Sequence, residues 1–173
     1  MKSLRLLCLL LIFTATGFGA DDPDPAQIEI SVGRLLEQGH YSRKKLDEKI
    51  SQTFLKNYLE GLDYNRLYFT QKDVDVFTAK YGASLSGDVL VGNTEPAFKI
   101  FDLYKKRLEE RIAKNKELIK GKFEFTSERT VQINRQKAAW PKDEADADQL
   151  WRDRIEGEML QEALAKHALN PPV

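Results

Sequence analysis

A chain of 173 residues, 42% hydrophobic and 31% charged, can bury the core of one globular domain and has little room for a second. Its 27 basic and 27 acidic residues cancel and are interspersed, which excludes the one-signed footprint of a nucleic-acid binder. Charge therefore names no partner.

The first twenty residues stand apart from the fold. Lys2 and Arg5 make a positive start, residues 6–13 (LLCLLLIF) are an unbroken apolar run, and mostly small residues follow to Ala20. The run is too short to span a hydrocarbon core of about 30 Å as a stable helix. Residues 1–20 are thus expected to be a secretory signal, cleaved near Gly19 or Ala20, leaving no stable membrane span. Cleavage also removes Cys8, the single cysteine, so the mature chain must rely on packing and not on disulfides. Cys8 lies inside the apolar run, which argues against a lipid anchor.

Residues 21–26 carry Asp and Pro and are expected to be a mobile leader. Helical periodicity then begins: Ile28, Val32, Leu35 and Leu36 share one face, and Gly39 ends it. Ser42 is a candidate N-cap for a second helix whose stripe holds Leu46, Ile50, Phe54 and Tyr58 beside Leu55, Leu59 and Leu62, with Gly61 at its end. After a turn at 63–65, Thr70 and Asp73 have capping-box spacing for a third helix carrying Val74, Phe77 and Tyr81. Residues 82–93 contain glycine and serine and are expected to form a loop. Thr94, Glu95 and Pro96 open a long helix with Ala97, Phe101, Tyr104, Leu108 and Ile112 on its apolar face; Gly121 closes it. Its charged residues, Arg107 and Arg111 among them, are expected to be solvated. Residues 122–133 alternate Phe123 and Phe125 with polar residues, so a short extended segment is expected there, without a strand to pair with. Trp140-Pro141 breaks the chain before a last helix bearing Leu150, Trp151, Ile155, Met159 and Leu160. The fold class is all-α, four to five amphipathic helices across residues 27–168.

Chemistry is sparse. His40 and His167 have no second histidine or cysteine at ligand spacing, so no zinc site is predicted, and no cofactor. Asp73 and Asp75 lack the further oxygen ligands, glycine and terminal glutamate of a calcium loop. Ser42 and Lys44 would point to different sides of a helix start, and no nucleophile elbow, Ser-x-x-Lys or phosphate-loop motif is present. Glu109 and Glu110 are neighbours on an exposed face, not a paired acid and base. Aromatic residues at helical spacing (Phe69, Phe77, Phe98, Phe101, Tyr104) read as core. Trp140 before a proline reads as a packing latch, with an interface anchor as the alternative. Trp151, Ile155 and Met159 share a face that needs a partner surface.

Two stretches resemble a known family. His40-Tyr41-Ser42-Arg43, Leu46-Asp47, Tyr58-Leu59-Glu60-Gly61-Leu62-Asp63 and Asn65-Arg66-Leu67-Tyr68-Phe69 are similar to the helical amino-terminal region of tail-specific (carboxyl-terminal processing) serine proteases. Trp140-Pro141-Lys142-Asp143-Glu144-Ala145 and Leu150-Trp151-Arg152-Asp153-Arg154 resemble the later part of that region. The resemblance implies export to the periplasm of Gram-negative bacteria. It further implies a helical domain packed around PDZ and serine–lysine catalytic domains, docking an adaptor in some members. Tyr64 stands where the family often has proline. The sequence reaches Val173 before the PDZ and catalytic segments would begin, so no catalytic residue is expected in it. The expected role is scaffold or docking domain, with Tyr68, Phe69, Trp140, Trp151, Ile155 and Met159 as packing or interface residues. The competing readings are a fragment of an intact protease and a free-standing binding or protease-regulating module.

Overall fold

The computed structural model describes residues 24–39, 46–126 and 128–169. They form α1 (Pro25–Gly39), α2 (Glu48–Leu62), α3 (Gln71–Tyr81), α4 (Leu85–Val91), α5 (Glu95–Leu118) and α6 (Glu144–Leu169). The described residues contain no strand; 122–133 is irregular, because no neighbouring segment offers it a ladder of backbone partners. The all-helical expectation therefore holds.

Local chemistry sets the helix ends. α1 starts earlier than expected, at Pro25: its fixed φ suits a first helical position, and the Asp24 carboxylate accepts the Ala26 amide at 3.0 Å. The second helix is capped by Asp47, which accepts the Ile50 amide at 3.0 Å; Ser42, the expected cap, lies outside the described residues. Both halves of the Thr70–Asp73 capping box form.

Residues 82–93 are not a loop. They hold α4, too short for periodicity to reveal, and tertiary contact specifies it instead. Ser86 is buried, its Oγ 2.8 Å from that of Ser51 on α2, and its amide donates to Ser51 Oγ at 2.9 Å. Gly92 ends α4 at φ 71°, where a Cβ would come within 2.9 Å of the Ala26 carbonyl on α1. The chain thus turns left-handed while pressed against another helix, and glycine meets both demands.

α1 lies on α4, α4 on α2, and α2 on both α3 and α5. The core is Leu55, Leu59, Phe69, Phe77, Tyr81 and Ile100, with Tyr58, Leu62, Val74, Leu103, Tyr104 and Trp140 packed against it.

Candidate docking surface

The turn joining α2 to α3 organises the aromatic residues. Asp63, 2% exposed, accepts the amides of Leu67 (2.8 Å), Tyr68 (2.8 Å) and Phe69 (3.0 Å) on its two carboxylate oxygens. Burial pushes the Asp63 carboxyl upward from its ordinary range, while those three amides and Arg135 pull it back. Arg66 takes a left-handed backbone (φ 54°), and its guanidinium pairs with Glu60 at 2.7 Å, donates to the Ala138 carbonyl and lies 5.2 Å over the Trp140 ring.

Four of the six nominated residues converge here. Phe69 is fully buried and sits edge-on to Trp140, with ring centroids 6.1 Å apart. Tyr68 meets Tyr104 at 5.6 Å and Trp151 at 5.8 Å. Trp151 Nε1 donates to the Leu67 carbonyl at 2.9 Å, so the partner surface for the last helix is this turn. Ile155 is buried one turn further along α6, and Met159 is half-buried beyond it.

A network of charges ties α6 to α5 and α3. Arg107 bridges Asp73 (2.9 Å), Glu110 (3.4 Å) and Glu144, and Arg111 reaches Asp148 at 2.8 Å while stacking over Trp151. Lys114 joins Glu144 and Asp148. Burial works against the Arg107 charge, but Asp73, Glu144 and Glu110 more than offset it and hold the guanidinium above its ordinary value. Burial likewise opposes the Asp148 charge, but bonds from Lys114 and Arg111 win and hold its carboxyl below the usual range. The expectation that Arg107 and Arg111 are solvated is thus wrong: Arg111 is buried and Arg107 largely so. Their stems pack inward because acids from two other helices wait there, which one helix's pattern cannot disclose.

Several predicted apolar faces are not covered. On α1, Ile28, Val32 and Leu35 are exposed, and it is Gly33 that presses on Val89 of α4. On α5, Phe98 is 53% exposed, and Phe101, Ile112 and the capping Ile119 just past its end are exposed too, so the core reading fails for Phe98 and Phe101. The inward side of α5 is Pro96, Ile100 and Arg111, rotated from the apolar stripe by about a quarter turn. On α6, Leu164 and Leu169 are exposed.

The nominated chemical residues build no reactive constellation among the described residues. His167 is exposed, and His40, Ser42 and Lys44 lie outside those residues. The buried Ser51 and Ser86 hydroxyls contact each other and the carbonyls of Leu46, Asp47 and Ala83. No group of three or more His, Cys, Asp or Glu is placed to hold a metal, and no helix is long and apolar enough to cross a membrane, among the described residues.

The sequence profile of the Tail specific protease N-terminal domain matches residues 32–171. The chain belongs to that family. It is similar to the tail-specific protease of Haemophilus influenzae, 34% identical over 125 residues, which are 72% of this chain and 18% of the relative. It therefore spans less than a fifth of that relative's length.

The structure brings together the two stretches of this chain that carry the resemblance to the family. The 58–69 block holds the Asp63 turn, and the 140–154 block holds both tryptophans. They meet through Trp140 on Phe69, Trp151 on Leu67 and Tyr68, and the Gln71 amide donating to the Pro141 carbonyl at 2.7 Å. In this chain the two stretches are the two sides of one joint.

Proposed function

We propose that the chain is the non-catalytic docking scaffold of a tail-specific protease, holding the PDZ and catalytic portions that trim proteins from their carboxyl termini. The observation that carries this reading is the uncovered apolar surface on three helices. Ile28, Val32 and Leu35 on α1, Phe98, Phe101 and Ile112 on α5 with Ile119 just past its end, and Leu164 and Leu169 on α6 face solvent. Exposed apolar surface of that extent marks a place where another protein surface sits. A joint locked by buried aromatics and charges would hold those faces at fixed angles. An adaptor would use whichever face the catalytic portion leaves open. The amino-terminal Lys2, Arg5 and residues 6–13 support export to the periplasm.

The test is to mix the purified chain with a Haemophilus influenzae tail-specific protease lacking its own N-terminal domain. Co-elution on size exclusion, with no peptide hydrolysis by the chain alone, is the expected result; separate elution overturns it. Mass spectrometry of the chain recovered from a periplasmic extract should give a mature start near Asp21. Recovery only with Met1 intact would defeat the export reading.

A further inference from the structure

Beside the joint, α6 carries a groove with no occupant from this domain's own core. Its walls are Val131 and Ile133 of the irregular segment and the stretch of α6 bearing Arg154, Gly157, Leu160 and Gln161, around an open space of ≈ 450 Å³, and Phe125 lines a smaller adjoining hollow of ≈ 60 Å³. Phe125 and Ile133 present apolar surface to solvent, Ile133 at 76% exposure, while Arg154 and Glu158 pair with each other at the rim. The irregular segment is clamped to α6 by Arg129, which pairs with Asp153 and, at 2.7 Å, with Glu156. The groove is consequently formed in advance, apolar within and polar at its edge, as a peptide-binding site requires.

Gly157 is the second observation. A glycine inside a helix costs about 1 kcal/mol relative to alanine, and nothing in this domain demands one at 157. A Cβ there would meet Val131 Cγ2 at 3.4 Å, ordinary contact. The missing side chain lets Val131 lie close over α6 and keeps the groove floor open beside it.

We propose that the groove seats the polypeptide that follows this domain in tail-specific proteases, through a short run of apolar side chains flanked by polar ones. This rests on the docking reading above. The choice of occupant follows from position. From Leu160 to the end of α6 at Leu169 is roughly 14 Å at 1.5 Å per residue. A chain leaving that end needs only about five extended residues to come back to the groove. The family is an N-terminal domain of tail-specific proteases and the aligned stretch is 18% of the relative, so further polypeptide after the domain is what such a protease supplies. Covalent attachment would keep it at an effective concentration on the order of millimolar, far above that of any separate protein.

The experiment uses the complex of this chain with the Haemophilus influenzae protease lacking its N-terminal domain, and measures Kd for variants. Ile133→Asp places a charge on an exposed groove residue without touching the core, and Gly157→Leu fills the floor. Both should weaken association at least tenfold, with thermal unfolding of Ile133→Asp unchanged. Lys106→Glu, on the solvated side of α5, should stay within twofold. If the wild-type chain binds and both groove variants bind equally well, the groove assignment falls and the docking reading survives. Absence of wild-type binding removes both. A dimer of this chain alone that Ile133→Asp dissolves would make a second copy the occupant and overturn the proposal.

Discussion

At the joint, Phe69 is fully buried, Trp151 hydrogen-bonds a backbone carbonyl, and Asp63 satisfies three amides. Further along the same α6, Leu164 and Leu169 stand in solvent, and the helix has no neighbour among the described residues that buries its last turns. Both regions use large apolar residues at helical spacing. What separates them is directed polar bonding: the joint sets Asp63 under three amides and the Trp151 indole on the Leu67 carbonyl, with Arg66 Nε and Arg135 Nε as its buried unpaired donors, whereas the outer half of α6 carries only i,i+4 pairs such as Glu162–Lys166. The joint couples apolar packing to hydrogen bonds between distant residues. The outer half of α6 leaves its apolar groups in water.

The sharpest way to break this comparison is Phe69→Ala. A fully buried phenylalanine ringed by Phe77, Tyr104 and Trp140 should lose about 4 kcal/mol of stability, read from the denaturant midpoint at constant slope. A loss below about 1 kcal/mol would mean the joint is not the fold's centre. Trp151→Ala comes next, at about 2 kcal/mol, because the ring is half-buried and the Leu67 carbonyl is left unpaired. Trp151→Phe separates the parts, keeping most of the packing and losing about 1 kcal/mol for the hydrogen bond. Equal losses in the two variants would show that the indole N–H, and not the ring, fastens α6. By contrast, Leu164→Ala should leave the isolated chain within about 0.5 kcal/mol of wild type.

Gly92→Ala tests the joint between α1 and α4 at about 2 kcal/mol, combining a positive φ with a Cβ pressed on the Ala26 carbonyl. Chemical-shift changes confined to α1 and α4 would check it; changes spreading to Phe69 would show that α1 is not a separable layer.

Five of the six helices were legible because each is written locally, whereas the two joint stretches were marked by their resemblance to the family. Apolar period places α2, α3 and α5, and Thr70 with Asp73 spells a cap. Trp140 before Pro141 reads as a latch from sequence, and the ring does pack against the core. α4 was not legible: seven residues carry too little period, and its reason for existing is Ser51, 35 positions away. The direction of α5 was misjudged for a related cause. Its strongest apolar stripe, with Phe98 and Phe101, faces outward, and its inward side includes two arginines whose acids lie on α3 and α6. A helix pattern reports that one face is apolar. It cannot say whether the same chain covers that face, and on α5 the described residues cover it only in part. The groove was illegible for the same reason, since Gly157 resembles any mid-helix glycine until Val131 is placed beside it.

The pH dependence of stability tests how the joint holds the near end of α6. Asp148 pairs with Arg111 at 2.8 Å and Lys114 at 2.9 Å, and its carboxyl sits below the ordinary 3.8 in the folded chain. A folded pKa below the unfolded one means the acid favours the folded state when ionised. Its contribution is therefore complete well above pH 3.8 and disappears as pH falls through the depressed folded value. Asp148 is nearly half exposed, so salt should screen much of the effect. The direction is nevertheless fixed: unfolding midpoints should fall from pH 5 to pH 2.5, and fall less in Asp148→Asn, with the difference shrinking in 1 M salt. Were Asp148→Asn to show the full wild-type acid dependence, the charges would be ornament on a helix held by Trp151 alone. The near end of α6 would then be fastened by the same kind of apolar side chain that its far end leaves exposed to solvent.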